Sequence, residues 1–196
     1  LQFAVSQTCR FNHQPKKSHG TAIKHILRYL KGTPDVGLIV KKAKSLRMDV
    51  YVDADFAGGY GYEPPSEESV SAKSRMGFVI RLGGFPLLWK SKLIDCICLS
   101  TAESEYSALS QCLREFIPVH RLVLELAPIM GYDEGIPSTI WEDNEAARLL
   151  ATTRHLSSRT KYYHTKLHFW WSWADQNSSG PHAVNIDRVE TKLQDA

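Results

Sequence analysis

Ser100 and Glu103 sit three residues apart at the end of an apolar run, and they constrain the fold of this chain more than any other pair because they fix where a helix begins. The serine hydroxyl is expected to accept from one orphan amide of the first turn, and the glutamate carboxylate to reach back to another. Beyond them Tyr106, Leu109, Leu113, Phe116 and Ile117 recur at helical spacings and define the face that packs on a core. Pro118 predicts a kink or an end there, with a second segment running to Met130. Glu105 belongs to neither pattern. A carboxylate in the opening turns is favoured by the helix dipole even when it meets only water, and from this position it can also lie over the edge of an adjacent sheet.

The helix follows strands. Met48, Val50 and Val52 alternate with Asp49, Tyr51 and Asp53 between Arg47 and Asp53, which is the period of a strand that delivers Asp53 near its end. A polar loop spans Gly58–Ser74, and Gly77–Leu82 and Pro86–Leu99 read as two more strands joined at Gly83-Gly84. Downstream, Thr139–Glu142 predicts a short strand delivering Asp143, Asn144–Ala151 a short helix, and Arg159–Ala174 a longer helix with Tyr163, Leu167, Trp170, Trp171 and Ala174 on one face. Ala183–Val189 predicts a last strand, and the final residues open another helix. This order implies an α/β protein, a sheet with helices packed on it.

Residues 1–45 form a separate block. Leu1–Phe11 reads as helical, and Ser18 is the expected cap of a second helix that carries Ala22, Ile23, Ile26, Leu27 and Leu30 and ends at Gly32. Lys16, Lys17, Lys24, Arg28 and Lys31 make the rest of its surface basic. Two short helices bury little between them, so the block is expected to lean on the following domain or on one upstream.

A length of 196 residues with 43% hydrophobic side chains fits one domain with an appendage and excludes a disordered or fibrous chain. No apolar run reaches the 18 or so residues of a membrane span, and the N-terminus has neither a signal-peptide core nor an initiating methionine, so the expectation is a piece of a longer intracellular polypeptide with no membrane partner. Cys9, Cys96, Cys98 and Cys112 are too sparse for a disulfide framework and read as reduced packing residues. The net charge of +3 is small, but from Ala146 to Ala174 there are five cations (Arg148, Arg154, Arg159, Lys161, Lys166) and no acid. His164 and His168 have a zinc-compatible spacing but no third ligand, and Trp170, Trp171 and Trp173 read as core rather than as a stacking platform. Lys90, Ser91 and Lys92 lie on a strand from which they could meet phosphate.

One end of a sheet could gather Asp53, Glu105, Asp143 and Asp195. Clustered carboxylates repel one another unless cations join them, and hard oxygen ligands favour Mg²⁺ or Mn²⁺. Two such ions about 3.5–4 Å apart can cleave a phosphodiester.

Several segments, in order and over most of the chain, carry a resemblance: Ile26-Leu-Arg-Tyr-Leu-Lys-Gly-Thr33, Asp53-Ala-Asp-Phe-Ala-Gly58, Leu88-Trp-Lys-Ser-Lys92, Ser100-Thr-Ala-Glu-Ser-Glu-Tyr106, Glu142-Asp-Asn144 and Ser158-Arg-Thr-Lys161. The chain resembles the ribonuclease H domain of copia-type LTR retrotransposons, preceded by the tail of the reverse transcriptase. The resemblance implies a ribonuclease H-like fold, with a mixed central sheet, over residues 46–196, and a reverse-transcriptase tail over residues 1–45. It implies cleavage of the RNA strand of RNA/DNA hybrids by two Mg²⁺ ions, for which Mn²⁺ can substitute, and an upstream reverse transcriptase domain as partner. Matched residue by residue, Asp53, Glu105, Asp143 and Asp195 take the four metal-ligand positions. The basic stretch and the Lys90/Lys92 strand are the candidate surfaces for the hybrid, and Lys90, Ser91, Lys92, Asn144, Arg154, Arg159, Lys161 and Lys166 are the candidate nucleic-acid contacts. The match departs from the family at Lys161-Tyr-Tyr-His-Thr165, where many members read Lys-His-Ile-Asp-Ile, and at Leu193-Gln-Asp195, where they read Leu-Ala-Asp. Two other classes stay open: a non-catalytic module of the same fold that binds nucleic acid or braces the reverse transcriptase, and a transposase- or integrase-like nuclease.

Overall fold

The computed structural model describes residues 1–61, 72–132, 135–153 and 161–190, and the chain divides into two compact units, Leu1–Lys41 and Lys42–Ala196. The first holds α1 (Gln2–Cys9) and α2 (Lys17–Gly32), neither of which buries a residue; Ile23, Leu27 and Leu30 form an exposed apolar stripe on α2. Ser18 is not the cap of α2. The cap is Lys16, two residues earlier, where the His19 ring accepts the Lys16 amide at 3.0 Å through Nδ1 and so satisfies an N-terminal donor.

The second unit is built on a five-stranded sheet of β1 (Met48–Asp55), β2 (Arg75–Leu82), β3 (Phe85–Leu93), β4 (Ser138–Glu142) and β5 (Val184–Arg188), in the order β3-β2-β1-β4-β5. β2 runs antiparallel to both of its neighbours, while β1, β4 and β5 are parallel. The β2–β3 hairpin turns through Gly83 and Gly84, both at positive φ, the backbone a two-residue turn demands. This is a mixed sheet with helices packed on it, the α/β architecture that the resemblance implies.

Met48, Val50 and Val52 point to one face and are fully buried there, against Tyr106, Leu109, Leu113 and Phe116 of α3 (Thr101–Leu126). Each such side chain withdrawn from water contributes roughly 1.5–3 kcal/mol before entropy is counted, so this contact anchors α3 across β1. Two shorter elements follow the order of the sequence: α4 (Glu145–Thr152), capped by Asn144, and α5 (Lys161–Gln176). A 3₁₀ turn over Pro128–Met130 ends at Gly131 in the left-handed conformation. Among the described residues no helix is long and apolar enough to cross a membrane.

Three expectations are corrected. Pro118 neither ends nor splits α3, which runs unbroken past it; Phe116, His120 and Val123 are buried around it, and that packing outweighs the cost of about 3 kcal/mol that proline carries inside a helix. β3 stops at Leu93 rather than Leu99, because its partner β2 begins at Arg75, opposite Leu93, and the ladder has nothing further to pair with. On α5 the buried tryptophans are Trp170 and Trp173, with Trp173 set edge-on to Phe116 at 5.9 Å, whereas Trp171 is half-buried and donates to the Ala151 carbonyl at 2.7 Å. All four cysteines are free thiols.

Candidate active site

The site begins with register. β1 and β4 are parallel neighbours with Val52 opposite Glu142, so the next residue of each, Asp53 and Asp143, emerges side by side at the carboxyl ends of the strands. α3 passes over β1 and brings Glu105 to the same point. One carboxylate oxygen from each of Asp53, Glu105 and Asp143 lies within 4.8 Å of the others. Asp53 and Asp143 are half-exposed and form the rim, while Glu105 is buried beneath them.

The start of α3 is fixed as the sequence anticipates, with one change. Ser100 Oγ accepts the Glu103 amide at 3.1 Å, but the Glu103 carboxylate takes the amide of Leu99, at 2.8 Å, rather than that of the cap residue. Glu103 is thus committed to the helix start, and Glu105 is free to serve the cluster. The loop after β1 is equally constrained. Ala57 adopts a positive φ of 47°, and a side chain at Gly58 would collide with the Asp55 carboxylate, which folds back over it.

Burial pushes the Glu105 carboxyl up to about 9, and the neighbouring Glu142, Asp53 and Asp143 push in the same direction. Asp53 is raised too, by burial and then by Asp143, with the Ala54 amide opposing. Glu105 Oε2 is buried with no hydrogen-bond partner among the described residues. Three converging carboxylate oxygens, with Glu105 buried among them, fit a hard divalent cation, which would offset both the lost hydration and the mutual repulsion.

Glu142 is the acid that the sequence reading passed over. It is fully buried, its Oε1 accepts the Asn144 amide at 3.1 Å, and burial raises its carboxyl to about 8, with Asp143 and Asp53 adding to the shift. Strand parity was the available signal: Glu142 stands two residues from Ile140, on the face that meets the helices.

The proposed nucleic-acid contacts fall in several places. Lys90 and Lys92 lie on edge strand β3, Lys90 paired to Glu115 at 2.5 Å and Lys92 3.8 Å from Asp95, and Ser91 Oγ accepts from Arg75 at 3.4 Å. Lys90 and Lys92, but not Ser91, line a groove of about 450 Å³ between β3 and α3 together with Arg114, Gln111 and Lys166. The Asn144 side chain accepts the Ala147 amide at 3.1 Å as the cap of α4, and Arg148 is held by Glu145. Lys166 is drawn inward, donating to Ser107 Oγ at 2.9 Å. Arg154, Arg159 and Asp195 lie outside the described residues, and of Lys161 and His164 only the backbone positions on α5 are described.

No family model matches the chain. Among solved structures, the N-terminal RNase H domain of Rv2228c from Mycobacterium tuberculosis is similar over 76% of this chain and 86% of its own, at 11% identity and a TM-score of 0.47. LC11-RNase H1 in complex with an RNA/DNA hybrid is similar over 76% and 88%, at 14% identity and a TM-score of 0.46. By sequence, the retrovirus-related Pol polyprotein from transposon RE2 of Arabidopsis thaliana is 32% identical over 86% of the chain, and that from transposon TNT 1-94 of Nicotiana tabacum 31% identical over 91%. The chain is homologous to a segment of copia-type retrotransposon Pol polyproteins. It spans 11% and 12% of the lengths of those two copia-type polyproteins. The aligned portion includes most of this chain, and its sheet gathers the three described carboxylates that the copia-type resemblance implies as ligands.

Proposed function

We propose that this chain is the ribonuclease H module of its parent polyprotein, an endonuclease that hydrolyses the RNA strand of RNA/DNA hybrids during reverse transcription. Asp53, Glu105 and Asp143 would hold two divalent ions, Mg²⁺ or Mn²⁺, with Asp195 as a fourth ligand from outside the described residues. The observation that carries this reading is the convergence of one carboxylate oxygen each from Asp53, Glu105 and Asp143 within 4.8 Å of one another, with Glu105 buried. Bound there, the ions would supply a water nucleophile at neutral pH and stabilise the leaving oxygen.

The chain's own residues keep that arrangement ready. Asp143 sits between two anchored neighbours, Glu142 bonded to the Asn144 amide and Asn144 capping α4, so its carboxylate starts from a fixed backbone. Asp53 is held by the ladders of β1 with β2 and β4. Glu105 approaches from below and leaves the rim open to a strand of nucleic acid.

Recognition would depend on groove shape, phosphates and 2′-hydroxyls rather than on base edges. Lys90, Ser91 and Lys92 on the exposed edge and Arg154, Arg159 and Lys161 in the acid-free stretch are the proposed phosphate contacts, with Asn144 beside the metal ligands. Residues 1–45 are proposed as the tail of the reverse transcriptase. The exposed stripe Ile23, Leu27 and Leu30 on α2 supports an upstream protein surface as its partner.

A cleavage assay on an RNA/DNA hybrid, duplex DNA and duplex RNA of one sequence tests the reading. Cutting confined to the RNA strand of the hybrid is the expected result. Binding to the hybrid without cleavage would favour the non-catalytic module, and cutting of duplex DNA would favour a transposase- or integrase-like nuclease.

A further inference from the structure

Lys166 ties α5 to the opening turns of α3 at three points. Its ammonium donates to Ser107 Oγ at 2.9 Å and lies 4.0 Å from Glu103 Oε1, and its own carbonyl accepts from Ser110 Oγ at 2.6 Å. Glu103, Ser107 and Ser110 follow one another at spacings of four and three, so they form one stripe along α3. The Lys166 side chain is only 20% exposed, and Glu103 and Ser107 are buried. Cys96 Sγ, 3.9 Å from the ammonium, closes another side.

A lysine drawn in this far has exchanged water for protein partners, and reaching out to a phosphate would break those contacts and leave Glu103 a buried carboxylate without its counter-charge. Glu103 is also the side chain whose second oxygen accepts the Leu99 amide at the helix start. One ammonium therefore neutralises the group that fixes where α3 begins, and it holds the residue one turn further on as well. Glu105 stands between those two anchor points in the chain.

We infer that Lys166 is a positioning residue for the metal centre, setting the rotation and depth of the first turns of α3 and hence the placement of the Glu105 carboxylate. The inference rests on the proposal that Asp53, Glu105 and Asp143 hold divalent ions. Metal–ligand distances tolerate errors of only about 0.2 Å, so a small rotation of α3 suffices to weaken the site. Losing Lys166 would provoke that rotation, since the cheapest relief for an uncompensated Glu103 is to swing its turn towards water.

Lys166→Met in the full chain tests this, because it keeps most of the stem and removes the charge. Three quantities are read: Mn²⁺ affinity by calorimetry without nucleic acid, hydrogen exchange at the amides of residues 103–107, and the salt dependence of hybrid binding without divalent ions. The expected result is Mn²⁺ affinity reduced about tenfold, in the range known for residues that orient metal ligands, with faster exchange at 103–107 and an unchanged salt slope. Unchanged Mn²⁺ affinity overturns the inference, and a salt slope shallower by about 0.9 would return Lys166 to the role of a phosphate contact. Should Lys166→Met fold poorly, Ser107→Ala removes one acceptor only and is expected to weaken Mn²⁺ binding to a lesser degree; full affinity there contradicts the inference equally. A wild-type chain that binds no Mn²⁺ overturns the metal proposal itself, whereas equal binding by wild type and variant overturns only the role of Lys166.

Discussion

Val52 of β1 lies opposite Glu142 of β4 in the parallel ladder, and this one register places Asp53 beside Asp143. Both members of the pair are fully buried, so the core face enforces the alignment: a slip of one residue would turn Val52 out of the core and carry Asp53 to the wrong face. The packing that makes the protein stable is thus also what forces its acids together. That proximity costs stability wherever no cation is present to offset it.

Glu105→Gln should reveal this cost. Burial and three acidic neighbours disfavour the carboxylate, and the amide keeps the shape without the charge. We expect the metal-free variant to be more stable than wild type by about 1–3 kcal/mol, with the stabilisation that Mn²⁺ gives wild type largely lost. Thermal unfolding with and without Mn²⁺ reads both effects. A variant less stable than wild type, or one still stabilised by Mn²⁺ to the same degree, would remove Glu105 from the site.

A second expectation concerns acid. His120 is fully buried on α3, its ring 5.3 Å from those of Phe116 and Trp173, and neither ring nitrogen has a hydrogen-bond partner among the described residues. Burial, with His182 nearby, lowers it from its ordinary value of 6.5 to about 4. The neutral form is the one that packs, so its contribution is intact above the unfolded value and is lost as pH falls from about 6.5 through about 4. The loss should reach about 3 kcal/mol. Denaturant titrations across that interval should show a slope that His120→Leu flattens; an equal slope in both proteins would mean that other groups govern the acid limit.

Much of this arrangement could be read from residues alone. The alternation up to Asp53 and the capping pair Ser100/Glu103 locate two of the acids, because parity and caps are local rules. Lys166 could not be assigned in that way, and for Glu142 strand parity gives the face but not what covers it. A cation in a basic stretch looks solvated until a facing helix supplies Ser107 and Glu103, and an acid at a strand end looks exposed until a helix covers it. Those contacts join residues distant in sequence, and no local pattern encodes them. Pro118 illustrates the same override, since its local preference is outweighed by the buried residues on either side.

That override leaves a measurable residue. Pro118 is exposed in the interior of α3, where it lacks a donor and crowds the preceding turn. Pro118→Ala should raise stability by up to about 3 kcal/mol without altering Mn²⁺ affinity, because the metal centre lies at the far end of the helix. Urea unfolding checks this. A destabilised variant would show that the ring makes contacts that outweigh its backbone cost.

The most direct test of the account is cleavage of an RNA/DNA hybrid, labelled on each strand in turn, by wild type and by Asp143→Asn at equal concentration in Mg²⁺. The account predicts that wild type cuts the RNA strand and leaves the DNA strand whole, and that the variant, which keeps the fold and loses one ligand charge, cuts at least about a hundredfold more slowly. Equal rates of RNA cleavage by the two proteins would contradict it.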